Sequence, residues 1–262
     1  MRGLQKRSRR TAGRNDVDNL DLDVEPGEIV ALLGQHGSQA TLLGILAGRM
    51  HRDGGYVRVL GSDPEHAGAS WRSSIGVVAS QRAHRLPHTA RELVRETARW
   101  HRAPRDPDEV LYDLGLRPVR HVPARALSPD QQRCLDVALA VVGRPQLLLL
   151  DGPTRGLGTA ATRDIHAVVR SVRAAGTTVV LSTSSPEEAR LLADRAVVLA
   201  GGRCLALDGP GRPDPGSAAV RLSWTCGGVV LEVYGGDPAE LATELAHDPA
   251  GGASTQLLGA TA

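Results

Sequence analysis

Four consecutive leucines run into an aspartate at Leu147-Leu148-Leu149-Leu150-Asp151. A strand that is apolar at every position is buried on both faces, and such strands belong to parallel sheets covered by helices on each side. The rest of the chain follows that demand, with strand-like and helical stretches alternating. Residues 28–33 read as a strand, 38–47 as a helix closed by Gly48, and 56–60 and 75–78 as strands. After the leucine strand come a helix at 159–175, a strand at 178–182, a helix after Pro186, and strands at 196–199 and 204–207. This order predicts an α/β fold with a mostly parallel sheet. Residues 82–133 break the alternation, being Arg- and His-rich with helical periodicity and no strand, and read as an inserted helical subdomain. Residues 208–216 have the Gly/Pro composition of a linker. Residues 217–262, with two strand candidates and one helix at 238–246, form a small C-terminal appendage too short for an independent core.

Composition narrows the class. With 262 residues, 41% of them hydrophobic and 23% charged, the chain can bury a core. It has no Phe, so Leu, Val and Ala must fill that core. No apolar run approaches the ~18 residues of a membrane span. Six of the 31 basic residues and none of the 29 acidic ones fall in the first 14 positions, a basic tail expected to be solvated. No apolar stretch follows the tail, so a signal peptide is not expected. Cys134, Cys204 and Cys226 are scattered, with neither disulfide nor metal spacing. His84, His88 and His101 likewise lack a metal-ligand spacing. Lys6 is the only lysine.

The strand, glycine turn and helix over 29–48 have the layout of a phosphate-binding loop, in which amide groups and the dipole at a helix N-terminus attract an anion. Gly34-Gln35-His36-Gly37-Ser38-Gln39-Ala40-Thr41 nevertheless departs from G-x-x-x-x-G-K-[ST]. Downstream, Leu127-Ser128-Pro129-Asp130-Gln131-Gln132-Arg133 opens a helix, and the leucine strand ends in Asp151-Gly152-Pro153-Thr154. Ser128, Pro129 and Gln131 supply an N-cap, an N1 proline and the far half of a capping box.

With these motifs in this order, residues 4–207 resemble the ATP-binding subunits of ABC transporters, most closely those of drug-exporter type. Ser128 and Asp151 stand 23 residues apart, as in that family, and Ile45-Leu46-Ala47-Gly48, Leu135-Asp136-Val137-Ala138 and Ala193-Asp194-Arg195 resemble its framing text. The resemblance implies a P-loop NTPase-type sheet, with residues 1–207 as the nucleotide-binding domain. It implies ATP and Mg2+ as ligands, held by residues 34–41, Ser128 and Asp151, with Asp151 orienting the metal. It also implies a membrane permease as partner, pairing with a like or unlike second ATPase subunit, no nucleic acid, and a place on the cytoplasmic face of the membrane.

The same resemblance marks what is missing. Counting back from Gly48 puts Gln39 at the family's lysine and Ala40 at its Mg2+-binding hydroxyl, whereas counting forward from Gly34 puts Ala40 and Thr41 there. A cation about 4 Å from a phosphate oxygen is worth up to about 4 kcal/mol at an effective dielectric near 20, so its loss weakens ATP binding. Gly152 stands where the family has the glutamate that polarises water, so the chain offers no catalytic residue. Gly158 replaces an aspartate, and Ser184 replaces the switch histidine. Ser8 replaces the aromatic that stacks on adenine. Ser80 replaces the Q-loop glutamine, unless Gln81 serves in its place. Pro129 and Asp130 replace signature glycines, removing an N–H and adding a negative charge that faces a phosphate. His36 is expected to fill the loop. The expectation is an exporter cassette with impaired or absent hydrolysis. Against it stand a pseudo-ATPase that binds no nucleotide and regulates a partner, and a P-loop enzyme of another family rescued by an arginine from elsewhere in the chain.

Overall fold

The computed structural model describes residues 1–8, 15–34, 36–79, 87–200, 202–208, 221–226, 229–234 and 256–257. Its centre is a six-stranded sheet in the order β5-β6-β7-β3-β8-β9. These strands are β3 (Ile29–Gly34), β5 (Ile75–Val78), β6 (Leu147–Asp151), β7 (Thr178–Thr183), β8 (Arg195–Ala200) and β9 (Arg203–Asp208). The first five in that order are parallel and β9 is antiparallel to β8, as the continuous apolar run of β6 requires. Leu148 and Leu150 of β6 face one apolar cluster, with Ile29, Ala31 and Leu33 of β3, while Leu147 and Leu149 face the other, with Val30 and Leu32. Leu147 is 6% exposed and the other three leucines 0%. The largest fully buried side chains are all Leu or Ile, as the lack of Phe demands.

One face of the sheet is covered by α3 (Ala90–Arg99), α4 (Pro107–Asp113), α5 (Pro129–Val141) and α6 (Thr159–Ala174). The helical character expected of 82–133 is met from Ala90 onward, where Thr89 and Glu92 form a full capping box and Asp106 caps α4. The other face packs against α1 (His36–Leu46), against Trp71 of α2 (Ala69–Ser73), and against a three-stranded antiparallel sheet in the order β2-β1-β4. That small sheet comprises β1 (Arg2–Arg7), β2 (Asn15–Leu20) and β4 (Gly54–Tyr56). The strand expected at 56–60 is therefore shorter and earlier, and Val59 makes only an isolated bridge to Ser62. α7 (Pro186–Leu192) links β7 to β8. A second antiparallel sheet holds β10 (Arg221–Cys226), β11 (Val229–Tyr234) and β12 (Gln256–Leu257). The helix expected at 238–246 lies outside the described residues.

The basic N-terminal stretch is not a solvated tail where it is described. Arg2 pairs with Asp23 at 2.6 Å, and Lys6, 6% exposed, pairs with Asp53 at 2.9 Å. Alternation places Leu4 and Lys6 on the inward side of β1, and Asp53 provides the charge that permits Lys6 to be there. The single lysine is thus committed to the antiparallel sheet.

Truncating the centre of the sheet should cost what a fully buried leucine is worth. Leu149→Ala is expected to lower the unfolding free energy by about 2–5 kcal/mol in urea denaturation, with the slope unchanged.

Candidate functional site at the carboxyl ends of the parallel strands

Ligands of open α/β sheets sit outside the carboxyl ends of the strands, and the expected site residues gather there. β3 ends at Gly34, β6 at Asp151 and β7 at Thr183, with Leu32 and Asp151 each level with Ser182. At ~4.8 Å per strand, the ends of β3 and β6 lie about 10 Å apart across β7.

The turn after β3 is tight. α1 starts at His36, two residues ahead of the sequence expectation, leaving only Gln35 between strand and helix. Gly34 takes φ +134, and a Cβ there would meet the Leu199 carbonyl oxygen at 2.0 Å, so only glycine fits against β8. Gln35 lies outside the described residues, as do Ser80, Gln81 and His84; of His36 only the helical backbone is described. Gly37, Ser38 and Ala40 are half-buried in α1. Thr41 is buried, and its hydroxyl reaches Asp16 Oδ2 at 3.3 Å.

Gln39 is 0% exposed. Its Nε2 donates to the Leu32 carbonyl at 2.7 Å and to the Thr183 carbonyl at 3.3 Å. Those carbonyls belong to β3 and β7, so the side chain ties the two strand ends together from inside. Its Oε1 is buried and, among the described residues, accepts no hydrogen bond, at a cost of about 1–3 kcal/mol. A lysine in the family's position points a charge at the ligand, whereas Gln39 points its donors into the protein.

At the end of β6, Asp151 is 8% exposed and its Oδ1 accepts from the Ser182 hydroxyl at 2.8 Å. The Gly152 amide in turn donates to Ser182 Oγ at 3.0 Å. The signature helix α5 starts as its residues prescribe: Ser128 Oγ accepts from the Gln131 amide and Gln131 Oε1 accepts from the Ser128 amide. Asp130, expected to face a ligand phosphate, instead accepts from the Gly158 amide at 2.9 Å, joining the N-terminal ends of α5 and α6. Ser184 is exposed and Ser8 half-buried. Burial pushes the Cys134 thiol up to about 12, which removes it as a nucleophile.

A buried polar cluster beside the site had no clear mark in the sequence. Glu188 of α7 is 8% exposed. Its Oε1 accepts from Thr154 Oγ1 at 2.5 Å and lies 2.9 Å from His166 Nε2 of α6, and its Oε2 accepts from Thr183 Oγ1 at 2.6 Å. Burial pushes its carboxyl upward, but the hydrogen bonds from His166, Thr154 and Thr183 prevail and hold it below the ordinary 4.5. Ser185, followed three residues later by an acid, did signal the start of α7, and its Oγ accepts from the Glu188 amide. His166 occupies an inward slot of α6 that periodicity alone assigns to an apolar residue.

The fold defines the class, a P-loop NTPase-type α/β protein whose strand-end motifs stand in cassette order. The ABC transporter family profile matches residues 17–155. The Nod factor export ATP-binding protein I of Mesorhizobium japonicum is 35% identical over 231 residues, covering 86% of this chain. The daunorubicin/doxorubicin resistance ATP-binding protein DrrA of Streptomyces peucetius is 34% identical over 218 residues, covering 80%. The chain spans 66% of the length of each of these two relatives. Two solved structures share the fold at 21% identity and a TM-score of 0.70. One is an ATP-binding subunit of an ABC transporter, covering 80% of this chain and 88% of its own. The other is the cassette MJ0796 as a post-hydrolysis dimer with ADP and phosphate, covering 81% and 98%. The chain belongs to the ABC transporter family.

The family's ligand is Mg2+-ATP, and the residues present do not fit it in the family's manner. Counted either way, the loop has no lysine, Gln39 is bonded into the sheet, and Asp151 has Gly152 rather than a second carboxylate beside it. Among the described residues no group of three His, Cys, Asp or Glu side chains is placed to hold a metal.

Two outcomes follow from this geometry. Gln39→Ala should cost about 2–4 kcal/mol in chemical denaturation, since it strands a buried carbonyl and opens a cavity. Glu188, with its carboxyl held low in the folded chain, contributes stability above pH 4.5 that is lost as the pH falls through its folded value. Glu188→Gln should therefore flatten the decline in stability below pH 4.5, read from denaturation midpoints across pH.

Proposed function

We propose that this chain is the ATP-binding-cassette subunit of a membrane exporter and that it does not hydrolyse ATP. The observation that carries the reading is Gln39, whose buried carboxamide bonds to Leu32 and Thr183 where the family needs a free cation. Gly152 supports it, because no carboxylate follows Asp151 to polarise a water. The names of the relatives, for Nod factor export and drug resistance, support export rather than uptake.

In this reading ATP and Mg2+ bind weakly, and the chain pairs with a second cassette subunit, like or unlike. Residues 1–207 work as the nucleotide-binding domain, with the helical subdomain at 82–133, a linker at 208–216 and the appendage at 217–262. Among the described residues no helix is long and apolar enough to cross a membrane, so a permease subunit would hold the chain at the cytoplasmic face. We assign to that permease the cleft of about 660 Å3 lined by the turn after α1, by α2 and β5, and by α3 and α5. Trp71, Arg49, Arg72 and His101 line it, and Trp100 on its wall is 79% exposed. No carboxylate is among its described lining residues, which suits a short segment with acidic side chains.

The same Gln39 contacts favour a second reading, a pseudo-ATPase that binds no nucleotide and acts only through its partner. The two part in a titration of the full chain with a fluorescent ATP analogue, run beside a phosphate-release assay with and without the permease. Phosphate release no faster than that of Asp151→Asn in both settings is the expected result. Mg2+-dependent release that Asp151→Asn abolishes would overturn the proposal. Saturable nucleotide binding selects the first reading, and none at millimolar analogue selects the second.

A further inference from the structure

A cavity of about 410 Å3 opens at the other end of the sheet from Asp151, against the residues that lead into β6 and β7 and the C-terminal ends of α5 and α6. The length of β6, about 15 Å, separates it from the strand-end site. Val141, Pro145 and Val172 line it with apolar surface, and Arg105, Glu109 and Arg144 bring charge to it. Asp113 accepts from Arg105 Nη2 at 2.7 Å, while Arg105 Nη1 is buried and, among the described residues, has no acceptor. Arg144 and Glu109 are exposed, and among the described residues their side chains form no ion pair or hydrogen bond. Arg144 takes φ +53 directly ahead of Pro145. That conformation suits glycine, the usual residue just past a helix, and a following proline pushes its predecessor toward extended backbone. An arginine held there against both preferences is explained by its side chain rather than by the turn. With Arg105 matched by Asp113, the free charges at the cavity are one guanidinium and one carboxylate. The ends of α5 and α6 add the negative poles of two helix dipoles. Such a lining fits a molecule that carries both signs.

We propose that this cavity binds a zwitterion of the amino-acid or short-peptide class. The ligand carboxylate meets Arg144 and the unpaired donor of Arg105, pairing a planar guanidinium with the acceptor geometry it matches best. The ligand ammonium group meets Glu109 and the helix C-termini, and its apolar side chains lie on Val141, Pro145 and Val172. The volume falls within the roughly 300–1,000 Å3 of small-molecule sites, which combine apolar walls with a few polar groups in this way. A ligand held so would bridge α4, α5 and α6 at the end of the molecule away from the cassette motifs. The site is therefore separate from the nucleotide question, and the proposal holds whether or not the chain hydrolyses ATP.

The test is calorimetric titration of the full chain with the dipeptide leucyl-leucine, with its N-acetyl derivative, which keeps only the carboxylate, and with its amide, which keeps only the ammonium group. The free dipeptide is expected to saturate the chain and to bind at least about tenfold more tightly than either blocked form. Arg144→Gly should remove the lead of the dipeptide over its amide. A purely conformational role for Arg144 would leave binding untouched by that change, because glycine suits the backbone there. Glu109→Gln should remove the lead over the N-acetyl form. Arg163→Gln, a charge taken from the first turns of α6, should change nothing. No saturable binding of leucyl-leucine up to about 10 mM, a blocked form that binds as tightly as the free one, or binding that survives both Arg144→Gly and Glu109→Gln overturns the proposal.

Discussion

The double-sided burial of the parallel sheet is the constraint from which the rest follows. β6 offers no polar face, so both of its surfaces must be covered, by α3 to α6 on one side and by α1, Trp71 and the small antiparallel sheet on the other. Covering both faces leaves only the strand ends open to solvent, and in a parallel sheet every carboxyl end points the same way. Asp151, Thr183 and Gly34 are therefore brought together by packing alone, whatever chemistry they retain. A chain with this apolar pattern keeps the outline of a ligand site even when the residues that worked the site have changed.

What could be read in the sequence tracks what is local. The leucine run fixed β6 to the residue, because continuous apolarity has few other structural meanings. Ser128, Pro129 and Gln131 announced α5 through capping, which depends on residues three apart. β1 and β2 were missed because Arg2-Gly3-Leu4-Gln5-Lys6-Arg7 reads as a charged tail until Asp53, 47 residues away, pairs with Lys6. At the site, the missing lysine and glutamate were visible as letters. What replaced them was not. That Gln39 turns inward, that Asp130 bonds to Gly158 and that Arg155 covers Gly152 are contacts set by the fold, between residues that composition and periodicity treat as ordinary.

Those three replacements share a direction. In the family each of these places meets a ligand, whereas here two of the three meet the protein itself: Gln39 donates to strand carbonyls, and the Asp130 carboxylate takes an amide at the start of α6. Unpaired polar groups at a strand edge or a helix start carry a free-energy cost when buried. Internal partners therefore keep the shape of the strand ends without calling on a ligand. The capping box at Ser128 and the Ser182 bridge between Asp151 and Gly152 do the same for the remaining groups.

This accounts for a fold that stays close to its relatives while the chemistry departs. The conformation of α5 needs an N-cap and an N3 partner rather than a phosphate, so the change to Pro129 and Asp130 costs the helix nothing that Ser128 and Gln131 do not supply. The Glu188 cluster likewise needs only His166, Thr154 and Thr183, and it fixes α6, α7, the end of β7 and the loop after β6 to one another from within. Arg155 is the exception, an exposed guanidinium that lies against Gly152 just after β6 and, among the described residues, makes no hydrogen bond or ion pair.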